Sequence, residues 1–163
     1  MRLNKISQLA IRFAVEGDLK GAALIWNERA SLLQQSDGLQ PLTPERILDW
    51  QRQARSWLTN DDCGFFVGEA NKRISGYMAI MIREGPAGLG PAVVGEVIDM
   101  AVDLHESHPG LSSALLDEAR KWLKARDIAY LTVDVPAHYP VEEAFWRAQG
   151  ARTRFHQNWL ALS

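Results

Sequence analysis

The sequence has one cysteine, no excess of basic charge and no long apolar run. Because Cys63 stands alone, the chain cannot close an internal disulfide, and no thiol or histidine cluster has the spacing of a zinc site. The 18 Lys and Arg are balanced by 20 Asp and Glu, so no basic surplus attracts nucleic acid. No apolar run reaches membrane-spanning length. We expect a cytoplasmic protein without metal, nucleic-acid or membrane partners.

The length and composition fit one globular domain. The chain has 163 residues, of which 47% are hydrophobic and 23% charged, enough to bury a sizeable core. No internal repeat or low-complexity tract interrupts it. We therefore predict a single domain over residues 1–163.

The first half shows a strand, two helices and a hairpin. A strand-like run at residues 9–15 precedes a helix that begins near Gly17-Asp18, and Thr43-Pro44-Glu45 predicts the start of the second helix. Residues 64–70 and 74–82 alternate as strands around a turn at residues 71–73, which predicts a hairpin. The Gly- and Pro-rich residues 84–91 predict a surface loop.

The second half predicts a βαβαβ order. Its elements are strand 93–102, helix 109–126, strand 128–135, helix 140–149 and strand 153–162. A long helix between the first two of these strands allows them to pair in parallel, which a tight hairpin cannot do. Leu111, Leu115, Ala119 and Trp122 form the apolar stripe that would cover the sheet.

Two motifs in this half carry a family resemblance. Residues 107–112 (SHPGLS) open a helix and resemble the Gln/Arg-x-x-Gly-x-Gly/Ala turn of the GNAT superfamily, the GCN5-related N-acetyltransferases. Gly110 matches the glycine and Ser112 the last small residue, whereas Ser107 replaces a long polar side chain. The last helix resembles the family segment Asn-x-x-Ala-x-x-Phe-Tyr through Phe145, with Trp146 in place of the tyrosine.

The resemblance implies an α/β fold of the GNAT-like acyl-CoA N-acyltransferase type, with a mixed central sheet flanked by helices. It implies an N-acetyltransferase that moves an acetyl group from acetyl-CoA, its cosubstrate, to an amine on a small molecule or peptide by direct attack. It also allows a homodimer. The substitutions at Ser107, His108 and Trp146 motivate an alternative, a catalytically inactive GNAT-like module that binds acyl-CoA or has a regulatory role.

The resemblance places the cofactor between strands 93–102 and 128–135 and at the start of the following helix. A helix N-terminus offers unpaired N–H groups and a partial positive charge to a pyrophosphate, and the pantetheine amides would pair with strand backbone. Trp146 is expected to pack in the core or form a wall for the cofactor. The predicted cofactor-binding residues are Met100, Val102, His108, Gly110, Leu111, Ser112, Ser113 and Trp146.

Two residues are predicted to act in catalysis. Glu96 aligns with the general base of the histone-acetylating branch, and burial in an apolar strand would raise its pKa toward that role. The alternative, a carboxylate that faces solvent or pairs with an arginine, stays open. Tyr139 has the hydroxyl that Trp146 lacks and is a candidate general acid, or else a surface or packing residue. Asp99 would face away from Glu96 on a regular strand, so it is a reserve candidate that a β-bulge would bring into play.

Overall fold

The computed structural model describes residues 9–37, 43–105 and 108–162. These residues form five strands, four α-helices and a short 3₁₀ helix at Glu16–Asp18. The strands are β1 (Leu9–Phe13), β2 (Cys63–Ala70), β3 (Arg73–Glu84), β4 (Val93–Val102) and β5 (Leu131–Val133). The helices are α1 (Leu19–Asp37), α2 (Glu45–Trp57), α3 (Leu111–Lys124) and α4 (Pro140–Ala148).

The strands form one mixed sheet in the order β1-β2-β3-β4-β5. The first four pair antiparallel, and β4 and β5 pair parallel because α3 carries the chain back across the sheet between them. The predicted parallel pairing of the two strands is therefore confirmed. The β2–β3 turn is also confirmed, since Asn71 and Lys72 adopt φ of 51° and 63°, the left-handed values of a tight hairpin.

Helices cover both faces of the sheet, and each face has its own apolar core. On one face, α1 and α2 pack through aromatic and small side chains such as Trp50, Trp57 and Ala22. On the other face, α3 and α4 contribute Leu115, Trp122 and Trp146. The predicted stripe of α3 is buried as expected, because an amphipathic helix hides its apolar side against the sheet. The GNAT-like mixed sheet with flanking helices is confirmed.

The end of the chain departs from the prediction. The strand expected at residues 128–135 is only three residues long. Residues 151–162 contain no regular secondary structure, so the prediction of a strand at 153–162 was wrong. Gly150 does end α4 in a left-handed conformation, with φ of 87°. Among the described residues, no helix has the length and apolar character needed to cross a membrane.

Candidate active site

A β-bulge in β4 shapes the centre of the site. Ala79 pairs with Asp99 and Ile80 with Val97, so Ile98 has no partner on β3. The extra residue breaks the alternation of side chains along the strand, and Ile98 and Asp99 both contact the α1–α2 core. Glu96 precedes the bulge and lies on this same face, where it reaches Arg83. The bulge therefore brings the two carboxylates to one side of the sheet.

The bulge also marks the point where β4 and β5 part. Their parallel pairing covers Gly95 to Val97 of β4 and stops at Val97–Val133. From there to Val102, β4 remains paired with β3, while no described strand pairs with its other edge. The N–H and C=O groups on that edge are available to an extended ligand with amides of its own. This opening is the slot expected for a pantetheine arm.

The start of α3 lies next to this slot. Gly110 precedes the helix with φ of 84°, and a methyl group built on it would meet no atom within 4 Å. The Leu111 and Ala114 amides donate to the carbonyls of His108 and Gly110. Helical geometry leaves the amides of Ser112 and Ser113 without an acceptor in the first turn. Open space and two free donors fit a phosphate group.

Two glycines of the sheet let α3 approach closely. A Cβ on Gly68 of β2 would lie 2.3 Å from Leu111 Cδ1, and one on Gly76 of β3 would lie 3.0 Å from Leu111 Cδ2. The absence of side chains at these two positions makes room for Leu111, which is 3% exposed. The first turn of α3 is thereby held against the sheet, beside the free edge of β4.

A cavity of about 450 Å³ opens on the α1–α2 side of the bulge. The ring of Trp26 stacks on that of Trp50 with centroids 6.0 Å apart. Asp99 closes the inner end, where the Trp50 indole Nε1–H donates a 2.6 Å hydrogen bond to Asp99 Oδ2. The cavity is lined by Trp26, Arg46, Asp49, Trp50, Gln53, Trp57, Ile98 and Asp99. Its volume is enough for a small molecule beside the Asp99 carboxylate.

Asp99 is mostly buried by protein atoms, and only a minor part of its surface is open to this cavity. Burial raises the pKa of its carboxyl, although the hydrogen bond from Trp50 and the positive charge of Arg29 oppose the shift. The buried Tyr77 hydroxyl lies near the carboxylate without good hydrogen-bond geometry. Its pKa is raised well above the usual value by burial and by the Asp99 charge, so this hydroxyl stays neutral.

An ion pair joins α1 to α4 beside the slot. Arg29 donates from Nε and Nη2 to the two oxygens of Glu142, at 2.6 and 3.0 Å, and both side chains are 21% exposed. Burial alone would lower the pKa of Arg29, but Glu142 and Asp99 outweigh it and raise that pKa. The guanidinium therefore stays charged near Asp99 and favours the ionised carboxylate.

The two predicted catalytic residues, Glu96 and Tyr139, make their hydrogen bonds with partners other than Asp99. Glu96 Oε2 accepts a 3.1 Å hydrogen bond from Arg83 Nε, and the two side chains are 39% and 54% exposed, which matches the alternative left open for this residue. Tyr139 is half-buried at the N-terminus of α4, with its backbone N–H donating to Pro136 O. Neither role is tested by these contacts, and both stay predictions.

The predicted cofactor-binding residues surround the slot, with one exception among those described. Met100 and Val102 lie on its free edge, with side chains packed toward α3, and His108, Gly110, Leu111, Ser112 and Ser113 form the turn. Trp146 is 6% exposed and packs edge-on against Phe145, so it is a core residue. Ser107, the first motif position, lies outside the described residues.

Sequence reasoning gave Asp99 only a reserve role and missed Arg29 and Trp50 as its neighbours. The position of a bulge depends on pairing with a strand that is distant in sequence. The sequence near residues 96–99 therefore could not show which side chains share a face of the sheet.

The structure does not support thiol or metal chemistry in the described part of the chain. Burial raises the pKa of the Cys63 thiol to about 11, which leaves it unreactive at neutral pH. In the described part of the chain, no group of three or more metal-ligating side chains is present.

The split parallel strands, the bulge and the amide-rich start of α3 define an α/β acyltransferase. The sequence matches the model of the Acetyltransferase (GNAT) family over residues 26–151, and the chain belongs to that family. By this membership it is an acetyltransferase with acetyl-CoA as cosubstrate. Among curated proteins, no sequence matches it.

Solved structures share the fold at low identity. The tetramutant of the BH1408 protein from Bacillus halodurans superposes with a TM-score of 0.82 at 17% identity, covering 94% of this chain and 99% of the other. An aminoglycoside 6'-N-acetyltransferase from Acinetobacter haemolyticus gives 0.75 at 15%, covering 94% and 98%. A predicted acetyltransferase from Clostridium acetobutylicum, in a structure with acetyl-CoA, gives 0.70 at 18%, covering 96% of each.

Proposed function

We propose that this single-domain protein is an N-acetyltransferase that transfers the acetyl group of acetyl-CoA to the primary amine of a small molecule. The observation that carries the proposal is the position of Asp99, whose carboxylate faces a cavity at the point where β4 leaves β5. A base, an acceptor cavity and a cofactor slot thus meet at one bulge. N-acetylation needs all three at one place.

The chain's own groups fit the cofactor at both ends. The amides of Ser112 and Ser113 would bind the pyrophosphate, with Gly110 leaving room for it, and the free edge of β4 at Met100 and Val102 would pair with the pantetheine amides. Acetyl-CoA supplies an activated thioester carbonyl. The slot ends at the same bulge that lines the cavity on the α1–α2 face, so the thioester carbonyl would lie within reach of an acceptor in that cavity.

Asp99 is the general base that we favour. Acceptor amines are protonated at neutral pH, and the nitrogen must lose a proton before or during attack. The amine nitrogen then bonds to the acetyl carbon, the carbon–sulfur bond breaks, and the leaving thiolate of coenzyme A takes up a proton. Asp99 accepts the amine proton because burial raises its pKa and Trp50 holds it in place. Glu96, acting through water, is the competing base, and Tyr139 is the candidate donor to the thiolate.

The cavity walls support a small-molecule acceptor. The stacked Trp26 and Trp50 rings offer flat apolar surface, and Asp49 adds a second carboxylate on α2. The Acinetobacter and other aminoglycoside acetyltransferases share this fold, so acceptors with several amines belong in any screen. With Arg46 also in the wall, the cavity suits a compact acceptor with one or two amines better than a long polycation.

Binding and turnover are tested in that order. Acetyl-CoA and coenzyme A at about a hundred times their dissociation constants should each stabilise the protein by about 2.7 kcal/mol in a thermal shift assay, while ATP should not. A panel of monoamines, diamines, aminoglycosides and short peptides is then incubated with acetyl-CoA and analysed by mass spectrometry. We expect a product 42 Da heavier, about the mass of an added acetyl group, from at least one small amine.

An inactive acyl-CoA-binding module is the second candidate. It is favoured by Trp146, which occupies the position of the family's tyrosine and is buried in the core without an acidic hydroxyl. Stabilisation by acetyl-CoA without product from any amine would support this module and refute the enzyme. The absence of stabilisation by either coenzyme would refute both.

A further inference from the structure

Arg46 is a cation in the wall of the cavity that holds Asp99. It lies in the first turn of α2 and is half-buried. Its guanidinium forms no ion pair or hydrogen bond with any described residue. The helix dipole disfavours a cation in a first turn, and charged side chains that lose water usually have a partner. The anionic group of a ligand would give Arg46 the partner that the described part of the chain does not provide.

The other charged groups around this cavity are already paired. The Asp49 carboxylate accepts a 3.0 Å hydrogen bond from Arg52, one turn further along α2. Arg29, the cation whose charge acts on Asp99, is held on its far side by the ion pair with α4. Two wall groups of opposite charge are thus left for a ligand, the guanidinium of Arg46 and the carboxylate of Asp99.

These two groups lie at opposite ends of one side chain. Arg46 and Trp50 are four residues apart on α2, so they share a face of the helix as neighbours. The Trp50 indole reaches Asp99 through its N–H. A ligand that contacts both charges therefore needs an ammonium group and an anionic group close together. The cavity volume of about 450 Å³ is near the lower end of the range for ligand pockets, about 300 to 1,000 Å³, which suits a compact molecule.

The rest of the lining is largely apolar. Trp26 is half-buried, and its ring stacks on that of Trp50. Trp57 and Ile98 continue this apolar surface. Burial of an apolar group against these rings is favourable, whereas an additional charged group there would lose water without a partner.

We propose that the acceptor is a free amino acid with an apolar side chain. Its ammonium group lies at Asp99, its carboxylate accepts hydrogen bonds from Arg46, and its side chain packs on Trp26. This inference rests on the proposed function for the reaction itself. The amine nitrogen loses a proton to Asp99 and bonds to the acetyl carbon, the carbon–sulfur bond breaks, and the thiolate of coenzyme A takes up a proton. The carboxylate of the acceptor is unchanged.

Matched ligands test the role of the carboxylate. L-phenylalanine, phenylalaninamide and phenethylamine share an amine and a ring, but only the first has a carboxylate. Each is titrated into the protein by calorimetry in the presence of coenzyme A. We expect L-phenylalanine to bind about 10- to 100-fold more tightly than the other two, the range for hydrogen bonds to a charged group. Equal or tighter binding of phenethylamine would overturn the proposal.

L-aspartate tests the apolar side chain, because it keeps the amine and carboxylate and replaces the ring with a second acid. It should bind at least about tenfold more weakly than L-phenylalanine, since its side chain would face Trp26 without a partner. Equal affinity for the two amino acids would refute the assignment of an apolar acceptor.

Substitution of Arg46 tests the anchor. Arg46→Gln should weaken binding of L-phenylalanine about 10- to 100-fold and leave phenethylamine unchanged, whereas Arg46→Lys should keep part of the affinity. Arg55→Gln is the matched control, because it also converts an α2 cation to an amide but removes only the exposed pair with Glu16. It should change neither affinity. An equal loss for both ligands in Arg46→Gln would mean that Arg46 supports the cavity walls and does not bind a carboxylate.

Turnover separates this inference from the proposed function. With acetyl-CoA, Arg46→Gln should raise KM for L-phenylalanine and change kcat much less. If the unmodified protein acetylates phenethylamine but not L-phenylalanine, the N-acetyltransferase stands and the amino-acid acceptor is refuted. If L-phenylalanine binds through Arg46 and no amine is acetylated, the amino-acid site stands and the proposed function is refuted.

Discussion

The indole of Trp50 donates a 2.6 Å hydrogen bond to the carboxylate of Asp99, which joins α2 to the bulge of β4. Together with the charge of Arg29, this hydrogen bond offsets part of the hydration that the carboxylate loses on entering the α1–α2 core. Trp50, at 4% exposure, is fixed by packing against Trp57 and Tyr77. Asp99 is thereby held in one orientation toward the cavity, as the proposed role of general base requires.

Replacing Asp99 should separate turnover from stability. We expect Asp99→Asn to lower kcat by about 10²- to 10⁴-fold, the range for loss of a general base. Because burial raises the pKa of Asp99, its charge costs the folded state stability at pH values above the unfolded pKa, and this cost grows as pH rises through the folded pKa. The neutral variant should therefore be at least as stable at pH 7, measured by thermal unfolding.

Glu96→Gln is the matched control for this change. It also converts a β4 carboxylate to an amide, but it removes only the half-exposed pairing with Arg83. Turnover in this variant should stay near that of the unmodified enzyme, with acetyl-CoA binding unchanged in both variants. If the Gln variant loses turnover while the Asn variant keeps it, Glu96 is the base and the assignment of Asp99 is wrong.

The Trp50 hydrogen bond predicts a change in pH dependence. The indole N–H favours the ionised carboxylate and so lowers the Asp99 pKa against the effect of burial. In Trp50→Phe this opposition is gone, the pKa rises further, and the acid limb of the kcat/KM profile should move to higher pH. Activity should fall more at pH 6 than at pH 9.

Trp57→Phe serves as the comparison, since Trp57 stands edge-on to Trp50 and is equally buried, whereas the hydrogen bond to Asp99 comes from Trp50. Its acid limb should stay in place even if the variant is less stable. Identical shifts in both variants would mean that packing, and not the hydrogen bond, sets the ionisation of Asp99.

Substitution of Gly110 tests the proposed phosphate site, because this residue has a backbone conformation that favours glycine. Its φ of 84° strains any residue with a Cβ by about 1 kcal/mol, and a methyl group there would occupy the space assigned to pyrophosphate. Gly110→Ala should weaken acetyl-CoA binding about tenfold, or roughly 1.4 kcal/mol. Isothermal titration provides the measurement.

Gly88→Ala is a close control, because Gly88 has φ of 71° and equally open surroundings but lies in the β3–β4 loop. Both variants should lose similar stability. Only the Gly110 variant should lose affinity, and an equal loss in both would show that general destabilisation accounts for the effect.

The sequence predicted most of the fold because most of its signals are local. The stripe of α3, the hairpin around Asn71 and the left-handed Gly150 each depend on a few neighbouring residues. The strand predicted at residues 153–162 is not formed, because a strand requires a partner edge and the sequence does not say where such an edge is.

The candidate site was less predictable for the same reason. Gly110 could be found because its turn is a short sequence motif. The face of the sheet on which Asp99 lies depends instead on how β4 pairs with β3. The ion pair between Arg29 and Glu142 joins residues 113 positions apart, with no pattern that links them. Close approach of Leu111 to Gly68 likewise appears only once β2 lies under α3.

Asp18 anchors the start of α1 and gives stability a defined pH dependence. Arg12 donates to both of its oxygens at 2.7 and 2.9 Å, and the Val15 N–H donates at 2.8 Å. Burial would raise the pKa of Asp18, but these hydrogen bonds and the Arg12 charge outweigh it and lower that pKa. The contribution to stability is therefore present above the unfolded pKa and is lost as pH falls through the lower, folded pKa.

Asp18→Asn should reduce the free energy of unfolding at pH 7 by about 2 kcal/mol, because the amide keeps the Val15 contact but not the charged pair with Arg12. Urea denaturation at pH 7 and again near pH 3 should show the difference from the unmodified protein shrink in acid, as its own Asp18 becomes protonated. Glu16→Gln, which removes an exposed pair with Arg55, should have a smaller effect. A difference for Asp18→Asn that stays constant with pH would show that charge does not cause it.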